Sequence, residues 1–230
     1  LLKKNKVQVF EGFGSLVKDT SNIKKIRIKT KDNHIEKTAK NIILATGARS
    51  KNLPFVSSDG VNIWDYKTAM TPPKLPSSLI IVGSGAIGME FASFYNDLGV
   101  DVTIIEALPS ILPNEDTDIS NIVKLNFEKR GIKIKTNSVL KSVKSKENSV
   151  SAEIISNEKV ETINSEKLIL AIGIIANTEK LGLKDFNVKI DKGHVVTNEF
   201  LETHEKGVYA IGDITDGPWL AHKASHEGIL

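Results

Sequence analysis

No cysteine occurs among the 230 residues, so the sequence offers no disulfide from which a redox compartment could be inferred and no thiol for redox chemistry. No apolar run approaches the roughly 18 residues that a membrane-spanning helix needs. Residues 1–5 lead directly into a predicted strand, and no signal peptide is expected. From these absences we expect, by default, a cytoplasmic protein that does not enter a membrane.

The positive charge is carried by 28 lysines and only three arginines, and it is spread along the sequence. Aromatic residues make up 6% of the chain and are not interleaved with basic ones, so no nucleic-acid surface is indicated. The hydrophobic share of 40% and the charged share of 26% are those of an ordinary globular protein. A chain of 230 residues is long enough for one large or two small domains.

The most informative stretch is a short apolar run, residues 79–82, followed at once by three glycines with GxGxxG spacing. Gly83 permits a tight turn from strand to helix, Gly85 lets the backbone approach a pyrophosphate, and Gly88 lets the new helix pack closely on the strand. The N-terminus of that helix offers free N–H groups and a positive dipole to phosphates. The pattern predicts a dinucleotide site, although a purely structural glycine turn has the same spacing.

The residues that follow are in register with a dinucleotide site. A helix with one apolar face is predicted to end at Gly99, with apolar residues at Ile87, Phe91, Phe94 and Leu98. A second apolar strand, residues 102–105, ends in Glu106, eighteen positions after Gly88 (106 − 88). A carboxylate there accepts two hydrogen bonds from the adenosine ribose and repels a 2′-phosphate, so NAD is favoured over NADP. The alternative is a solvated glutamate at the end of a strand.

The first part of the chain predicts a small antiparallel meander. Residues 7–10, 26–28 and 35–38 alternate as strands, with turns at 12–14 and 32–33. Residues 41–45 are apolar on both faces, as in a strand buried in a parallel sheet. That strand ends in the small residues Thr46, Gly47 and Ala48, which form either a turn that a ligand can approach or a plain strand-ending turn.

After Glu106 the sequence predicts a helix over residues 116–130, a strand over 132–135 and three short strands between 139 and 163. Residues 167–173 return to the buried-strand type, so a β-meander replaces a helix as the crossover between parallel strands. A last strand leads to Asp213 and then to a helix over residues 221–228. Asp213 either accepts hydrogen bonds from ligand hydroxyls or caps the following turn.

Four motifs, residues 45–47, 83–90, 171–173 and 203–213, resemble those of the pyridine nucleotide–disulfide oxidoreductases in order and spacing, over essentially the whole chain. Residues 217–224 are similar to those of the members that oxidise dihydrolipoyl groups. The resemblance implies an α/β, Rossmann-like FAD/NAD(P)-binding fold with a parallel sheet and a β-meander crossover, its NAD domain complete and its FAD domain partial. The expected domains are an FAD-binding piece over residues 1–51, an NAD-binding domain over 52–183 and a second FAD-binding piece over 184–230.

The resemblance also implies two cofactors, FAD and NAD, and their sites. The positions that match the family's FAD site are Gly14, Thr46, Gly47, Ala48, Asp213, Trp219, Leu220, Ala221 and His222. The positions that match its NAD site are Gly83, Ser84, Gly85, Ala86, Ile87, Gly88, Met89, Glu90, Glu106, Val139 and Gly173. In the family, the acid that matches Asp213 holds the flavin ribityl chain, and the glutamate that matches Glu90 pairs with a lysine beside flavin N5.

Three positions depart from the family pattern. Ala86 stands where relatives often carry a larger side chain that gates the nicotinamide pocket. Residues 173–177 lack the arginine and proline that are common after this glycine, and Trp219 stands where methionine is usual. The family also begins with its own FAD-binding glycine loop and redox-active cysteine pair, and it ends with a dimerisation domain that carries a histidine–glutamate pair. The sequence shows neither, and His222 and His226 precede the position of that histidine. A central fragment is therefore expected, with no catalytic residue and no metal site, inactive by itself and weak in FAD binding.

The implied parent protein oxidises dihydrolipoyl groups and passes the electrons through a disulfide and FAD to NAD. Its expected partners are NAD(H), the lipoyl domains of a 2-oxo acid dehydrogenase complex and a second copy of the same protein. Two alternatives stay open. One is another NADH-dependent flavoprotein disulfide reductase or NADH oxidase of the family, and the other is a non-catalytic NAD-binding module.

Overall fold

The computed structural model describes residues 1–18 and 23–230. Its strands, in chain order, are β1 (Phe13–Lys18), β2 (Lys24–Lys29), β3 (His34–Thr38), β4 (Ile42–Leu44), β5 (Ala48–Ser50), β6 (Ile63–Trp64), β7 (Ser78–Val82), β8 (Asp101–Ile105), β9 (Lys133–Lys135), β10 (Ser138–Lys146), β11 (Ser149–Ser156), β12 (Lys159–Ser165), β13 (Lys167–Leu170), β14 (Ile174–Ala176), β15 (Ile190–Asp191), β16 (His194–Val195) and β17 (Val208–Ala210). Its α-helices are α1 (Tyr66–Met70), α2 (Ala86–Asp97), α3 (Thr117–Lys129) and α4 (Ala221–Ile229), and short 3-10 helices cover Leu183–Asp185 and Gly212–Ile214. No helix within the described ranges has the length and apolar character needed to cross a membrane.

Contacts between residues divide the described chain into two compact units. One unit comprises Leu1–Arg49 and Ile175–Leu230, and the other comprises Ser50–Ile174. The chain leaves the first unit through β5 and returns to it through β14. The domain boundaries expected from the sequence, after residues 51 and 183, stay a prediction about which part folds independently.

The unit Ser50–Ile174 is built on a five-stranded parallel sheet with the strand order β6-β13-β7-β8-β9. Residues of β7 alternate between its faces: Leu79 and Ile81 enter a core cluster with the helices, whereas Ile80 and Val82 enter a cluster with the β10–β12 meander. From Leu79 to Val82 the strand is apolar because both of its faces are covered. Since the meander connects β9 to β13, the expected α/β fold with a β-meander crossover is confirmed.

Helix α2 packs on the sheet with a face other than the one that its most apolar stripe suggests. Its buried residues are Gly88, Met89, Ala92 and Tyr95. Of the stripe predicted from the sequence, Phe91 is partly buried against the core, whereas Ile87 (38%), Phe94 (50%) and Leu98 (49%) are exposed. The cause is the close approach at Gly88, where the missing side chain brings that side of the helix against the backbone of Gly83.

Tyr95 makes the stability of this unit depend on pH. The side chain is fully buried, and its hydroxyl donates a 2.6 Å hydrogen bond to the carbonyl oxygen of Ala69. Burial raises the pKa of Tyr95 from 10.0 to about 12. The folded protein holds the Tyr95 proton more tightly than the unfolded chain does. The stability that the protonated side chain gives the folded state is therefore present below pH 10.0 and is lost as the pH rises through about 12.

We predict that Tyr95→Phe lowers the free energy of unfolding by about 1 kcal/mol near neutral pH, because the hydrogen bond to Ala69 is lost. Above the ordinary tyrosine pKa the deficit should shrink and then reverse, since only the unsubstituted protein must release the buried proton. Urea unfolding of both proteins between about pH 8 and pH 12, followed by tryptophan fluorescence, measures this difference. Lysine deprotonation affects both proteins and cancels. A difference that stays constant over this range would contradict the prediction.

The other unit contains the antiparallel meander β1-β2-β3 and the parallel pair β4-β17. Its core is formed by Leu16, Ile42, Leu44, Leu181, Leu183, Val195, Val208, Ala210 and Ile214. The strand predicted over residues 7–10 is wrong, and the predicted turn over 12–14 is instead the start of β1. Val7 and Val9 are 50% and 61% exposed. Alternation alone does not make a strand, because its backbone groups also need a neighbouring strand to bond.

Candidate functional site

The glycine loop lies at the carboxyl end of β7, where the chain turns into α2. Gly83 has φ +99°, and a Cβ there would collide with the carbonyl oxygen of Ala171, just after β13. A Cβ at Gly88 would collide with the carbonyl oxygen of Gly83. Both positions need glycine so that loop, helix and neighbouring strand can pack together.

Gly85 differs from these two glycines because no heavy atom of the described residues lies within 4 Å of the place where its Cβ would be. It is the N-cap of α2, and its carbonyl oxygen accepts the N–H of Met89 at 3.0 Å. The N–H groups of Ala86, Ile87 and Gly88 have no acceptor within the described residues. An open backbone position beside free N–H groups and the positive end of a helix dipole can hold phosphate groups.

Glu106 follows β8 directly and is only 7% exposed. Its Oε2 accepts the N–H of Ser84 at 2.8 Å and the hydroxyl of Ser84 at 2.6 Å, and its Oε1 accepts the N–H of Leu108 at 2.9 Å. A carboxylate offers about four acceptor positions, so about one remains on Oε1. The structure thus differs from the expected free carboxylate with two ribose hydrogen bonds, because the loop itself already holds the side chain.

Three adjacent parallel strands bring the other expected NAD positions to one edge of the sheet. Strand β7 lies between β13 and β8, so Gly83, Glu106 and Gly173 all follow neighbouring carboxyl ends. Gly173 has φ +109°, and no heavy atom of the described residues lies within 4 Å of the place where its Cβ would be, although its carbonyl oxygen already accepts the N–H of Lys51 at 2.9 Å. Val139 lies at the start of β10 and is 51% exposed. In open α/β sheets this edge is where ligands bind.

The first turn of α2 divides into exposed and buried positions. Ala86, Ile87 and Glu90 are exposed and therefore accessible to a ligand or another segment. Met89 is 4% exposed and belongs to the core beneath the helix. Its contribution is to packing, since its side chain is buried and its N–H is already bonded to Gly85.

The Thr46–Gly47 turn in the other unit is held by Asn177, a residue that the sequence did not single out. The Thr46 hydroxyl donates to the carbonyl oxygen of Asn177 at 2.8 Å, and the Asn177 amide Nδ2 donates to the carbonyl oxygen of Thr46 at 2.9 Å. The Asn177 N–H donates to Gly47 at 2.9 Å, and Arg49 donates to Asn177 Oδ1 at 2.9 Å. Arg49 also donates to Glu179 and thereby lowers the pKa of that carboxyl. Among the described residues, no heavy atom lies within 4 Å of the place where a Cβ of Gly47 would be. The turn that Asn177 holds is therefore open to a ligand.

Asp213 lies in the 3-10 helix after β17 and is partly buried. Its carboxylate has no hydrogen-bond partner among the described residues, so it does not cap the following turn. The N–H of Gly212 instead donates to Glu227 at 2.7 Å, and Lys223 forms an ion pair with Glu227 at 2.9 Å. Lys223 also donates to Thr215 at 2.9 Å. These bonds tie α4 to the turn and leave Asp213 free to accept hydrogen bonds from a ligand.

Trp219 precedes α4, with 43% of its surface exposed. Its ring stacks on His194 with centroids 5.4 Å apart and planes at 22°, and its Nε1 lies 3.4 Å from the carbonyl oxygen of Thr215. Leu220, Ala221 and His222 are exposed at the start of the helix. The segment is therefore accessible to its surroundings, while the indole contacts His194 on one face. Gly14 lies in β1 and is exposed.

A family model described as pyridine nucleotide-disulphide oxidoreductase matches residues 1–228 of the chain. The dihydrolipoyl dehydrogenase of Zymomonas mobilis is 45% identical over 231 residues, which cover 100% of this chain and 49% of that protein. The dihydrolipoyl dehydrogenase of Bacillus subtilis is 36% identical over 240 residues, which cover 100% of this chain and 50% of that protein. The chain spans about half the length of the curated relatives it matches.

Two solved structures have the same fold over nearly the whole chain. LpdA from Mycobacterium tuberculosis superposes with a TM-score of 0.89 at 30% identity, over 99% of this chain and 50% of that structure. The flavoprotein disulfide reductase RclA from Escherichia coli, solved as a Cu(II) complex of a mutant, superposes with a TM-score of 0.86 at 25% identity, over 96% of this chain and 49% of that one. The expected fold is confirmed by both.

Proposed function

The chain belongs to the pyridine nucleotide–disulphide oxidoreductase family, and we propose that it supplies the NAD-binding part, and a portion of the FAD-binding part, of a dihydrolipoyl dehydrogenase. The proposed reaction of the whole protein converts a dihydrolipoyl group and NAD⁺ into a lipoyl group, NADH and a proton. The observation that carries the proposal is the glycine loop, where Gly85 is open, the N–H groups after it are free and Glu106 lies beside the turn. The 45% identity to a dihydrolipoyl dehydrogenase supports this member of the family over others.

The residues of the unit Ser50–Ile174 are proposed to hold NAD and not to react with it. When bound, NAD supplies the hydride acceptor. The N–H groups at the start of α2 face its pyrophosphate, Gly85 leaves room for the phosphate oxygens, and Glu106 accepts a hydrogen bond from the adenosine ribose. Val139 and Gly173 are exposed at the same sheet edge, where the rest of the dinucleotide would lie.

A second set of residues is proposed to contact FAD. Asp213 supports this assignment because its carboxylate is partly buried and has no partner within the described residues. The turn formed by Thr46, Gly47 and Ala48 supports it as well, since Asn177 fixes its shape and leaves it open. Gly14 and the exposed residues 219–222 complete the proposed contacts. FAD, when bound, relays two electrons between the dithiol and NAD.

We also propose, for the whole protein, that it acts on lipoyl domains, forms a homodimer and lies in the cytoplasm. A flavoprotein disulfide reductase with another substrate is the second candidate, supported by the similarity to RclA. It is the weaker one, because that identity is 25% and the identity to the Zymomonas mobilis enzyme is 45%.

Direct titration of the chain with NADH and NADPH tests the proposal. We expect NADH to bind, with enhanced nicotinamide fluorescence, and NADPH to bind at least about tenfold more weakly because its 2′-phosphate would approach the Glu106 carboxylate. Nicotinamide mononucleotide, which lacks the adenosine half, is the control and should show no comparable affinity. Equal affinity for NADH and NADPH would contradict the proposed NAD preference, and no binding of either would contradict the proposed site.

A further inference from the structure

The carboxylate of Glu106 is a nearly buried acid whose charge is balanced by hydrogen bonds alone. Within the described part of the chain, no lysine, arginine or histidine forms an ion pair with it. Burying a charged group is costly unless donors replace the lost water. Three donors do so here, and Ser84 provides two of them, through its N–H and its hydroxyl, both to Oε2. Leu108 provides the third, to Oε1.

Ser84 is the first variable position of the glycine loop, and its own side chain is fully buried. Its hydroxyl is the only side-chain donor to Glu106 in the described chain; the other two donors are backbone N–H groups. The serine side chain cannot contact a cofactor, because no part of it reaches solvent. Any effect of this hydroxyl on cofactor binding must therefore pass through the carboxylate that it holds.

The two bonds from Ser84 fix which oxygen of Glu106 keeps a free acceptor position. Oε2 accepts both of them and has no acceptor position left, whereas Oε1 accepts only the N–H of Leu108. A carboxylate held on one oxygen by two short bonds cannot rotate to exchange its oxygens without breaking both. The remaining acceptor position on Oε1, and the negative charge, are thus kept in one place.

We propose that Ser84 is a positioning residue for cofactor specificity, which locks Glu106 so that Oε1 accepts an adenosine ribose hydroxyl and opposes a 2′-phosphate. This inference rests on the proposed NAD site. Without the hydroxyl, the carboxylate keeps its charge but gains rotational freedom. The ribose hydrogen bond then weakens, and the side chain can also turn away from a 2′-phosphate.

The test compares Ser84→Ala with Ser165→Ala in titrations with NADH and NADPH. Ser165 is a matched control, because it is a buried serine of the same unit whose hydroxyl donates a 2.7 Å bond, to the carbonyl oxygen of Lys167. We expect Ser84→Ala to lower the ratio of NADH affinity to NADPH affinity roughly fivefold, the size of one typical net hydrogen bond, because the lost bond acts on the cofactor only through Glu106. Ser165→Ala should leave that ratio unchanged, whatever it does to the melting temperature.

A double-mutant cycle shows whether the effect passes through Glu106. In a Glu106→Gln background, which removes the charge, Ser84→Ala should change the affinity ratio no further. Ser84→Cys, with its weak S–H donor in a chain without other cysteines, should give a ratio between those of serine and alanine. This variant also serves if Ser84→Ala lowers the melting temperature much more than Ser165→Ala does.

Three results would overturn the inference: an unchanged ratio in Ser84→Ala, an equal change in the Glu106→Gln background, or a higher affinity for NADH without the hydroxyl. The last would mean that the serine competes with the ribose for Oε2. These outcomes are distinct from failure of the proposed function, in which the unsubstituted chain itself binds neither dinucleotide or binds both equally.

Discussion

Gly85→Ala should weaken NADH binding by roughly 100-fold while leaving the stability of the protein nearly unchanged. The backbone at Gly85 has φ −68° and ψ −179°, which alanine adopts readily, and no atom of residues 1–18 or 23–230 obstructs the new methyl group. The methyl group would instead occupy the space above the free N–H groups of α2, where the pyrophosphate is proposed to lie. Because the phosphate would lose two or more charge-assisted hydrogen bonds, the effect on affinity is large.

Gly88→Ala should have the opposite signature. Its methyl group would meet the carbonyl oxygen of Gly83, a backbone atom that cannot move without shifting the strand-to-helix turn. We expect the free energy of unfolding to fall by about 3 kcal/mol, which corresponds to a melting temperature lower by on the order of 10 °C. Substitution of Gly85 thus tests the approach of the cofactor, and substitution of Gly88 tests the packing of the helix on the strand.

Thermal unfolding and NADH titration of both variants measure these effects, with Gly131→Ala as the control. Gly131 has φ +92°, so an alanine there costs about 1 kcal/mol of backbone strain. The new methyl group meets no heavy atom of the described residues within 4 Å, so there is no collision. It should bind NADH normally. If Gly85→Ala unfolded as readily as Gly88→Ala, or bound NADH as tightly as the unsubstituted chain, the assignment of Gly85 to the phosphate position would be wrong.

Glu106→Gln should remove the preference for NADH over NADPH, by roughly tenfold to 100-fold, because the repulsion between a carboxylate and a 2′-phosphate disappears. The same change should cost about 2 kcal/mol of stability. The amide oxygen can still accept both bonds from Ser84, but the amide nitrogen then faces the N–H of Leu108, and one buried donor is left without an acceptor. Glu106→Ala is a poorer probe, since it would leave all three donors unpaired.

Glu128→Gln provides the matched control for this substitution. Glu128 lies in the same unit, on the exposed surface of α3, so the change in net charge is identical and the change in local contacts is small. Both variants are titrated with NADH and NADPH and unfolded in urea. A Glu106→Gln protein with the affinity ratio of the control would remove Glu106 from the specificity of this site.

The sequence by itself determined the features that depend on short stretches of chain. An apolar strand, glycines at fixed spacing and an acid after the next strand predict the dinucleotide-binding edge of a parallel sheet. Each of these elements depends on residues close together in the chain. The turn requires Gly83, and the strand requires a run of apolar residues. The position of Glu106 at the end of the next strand follows from its place in the sequence. For the same reason the crossover meander could be predicted from three alternating segments separated by turns.

Only the tertiary structure decided which atoms meet within that frame. The buried face of α2 follows from the backbone contact between Gly88 and Gly83, and not from the most apolar stripe of the helix. Asn177 fixes the turn at Thr46 across a chain separation of 131 residues, and no local pattern records such a partner. The donors to Glu106 could not be predicted from the periodicity of the sequence either. A hydrogen bond depends on distances of a few tenths of an ångström, and these are set by the packing of the loop against the strand.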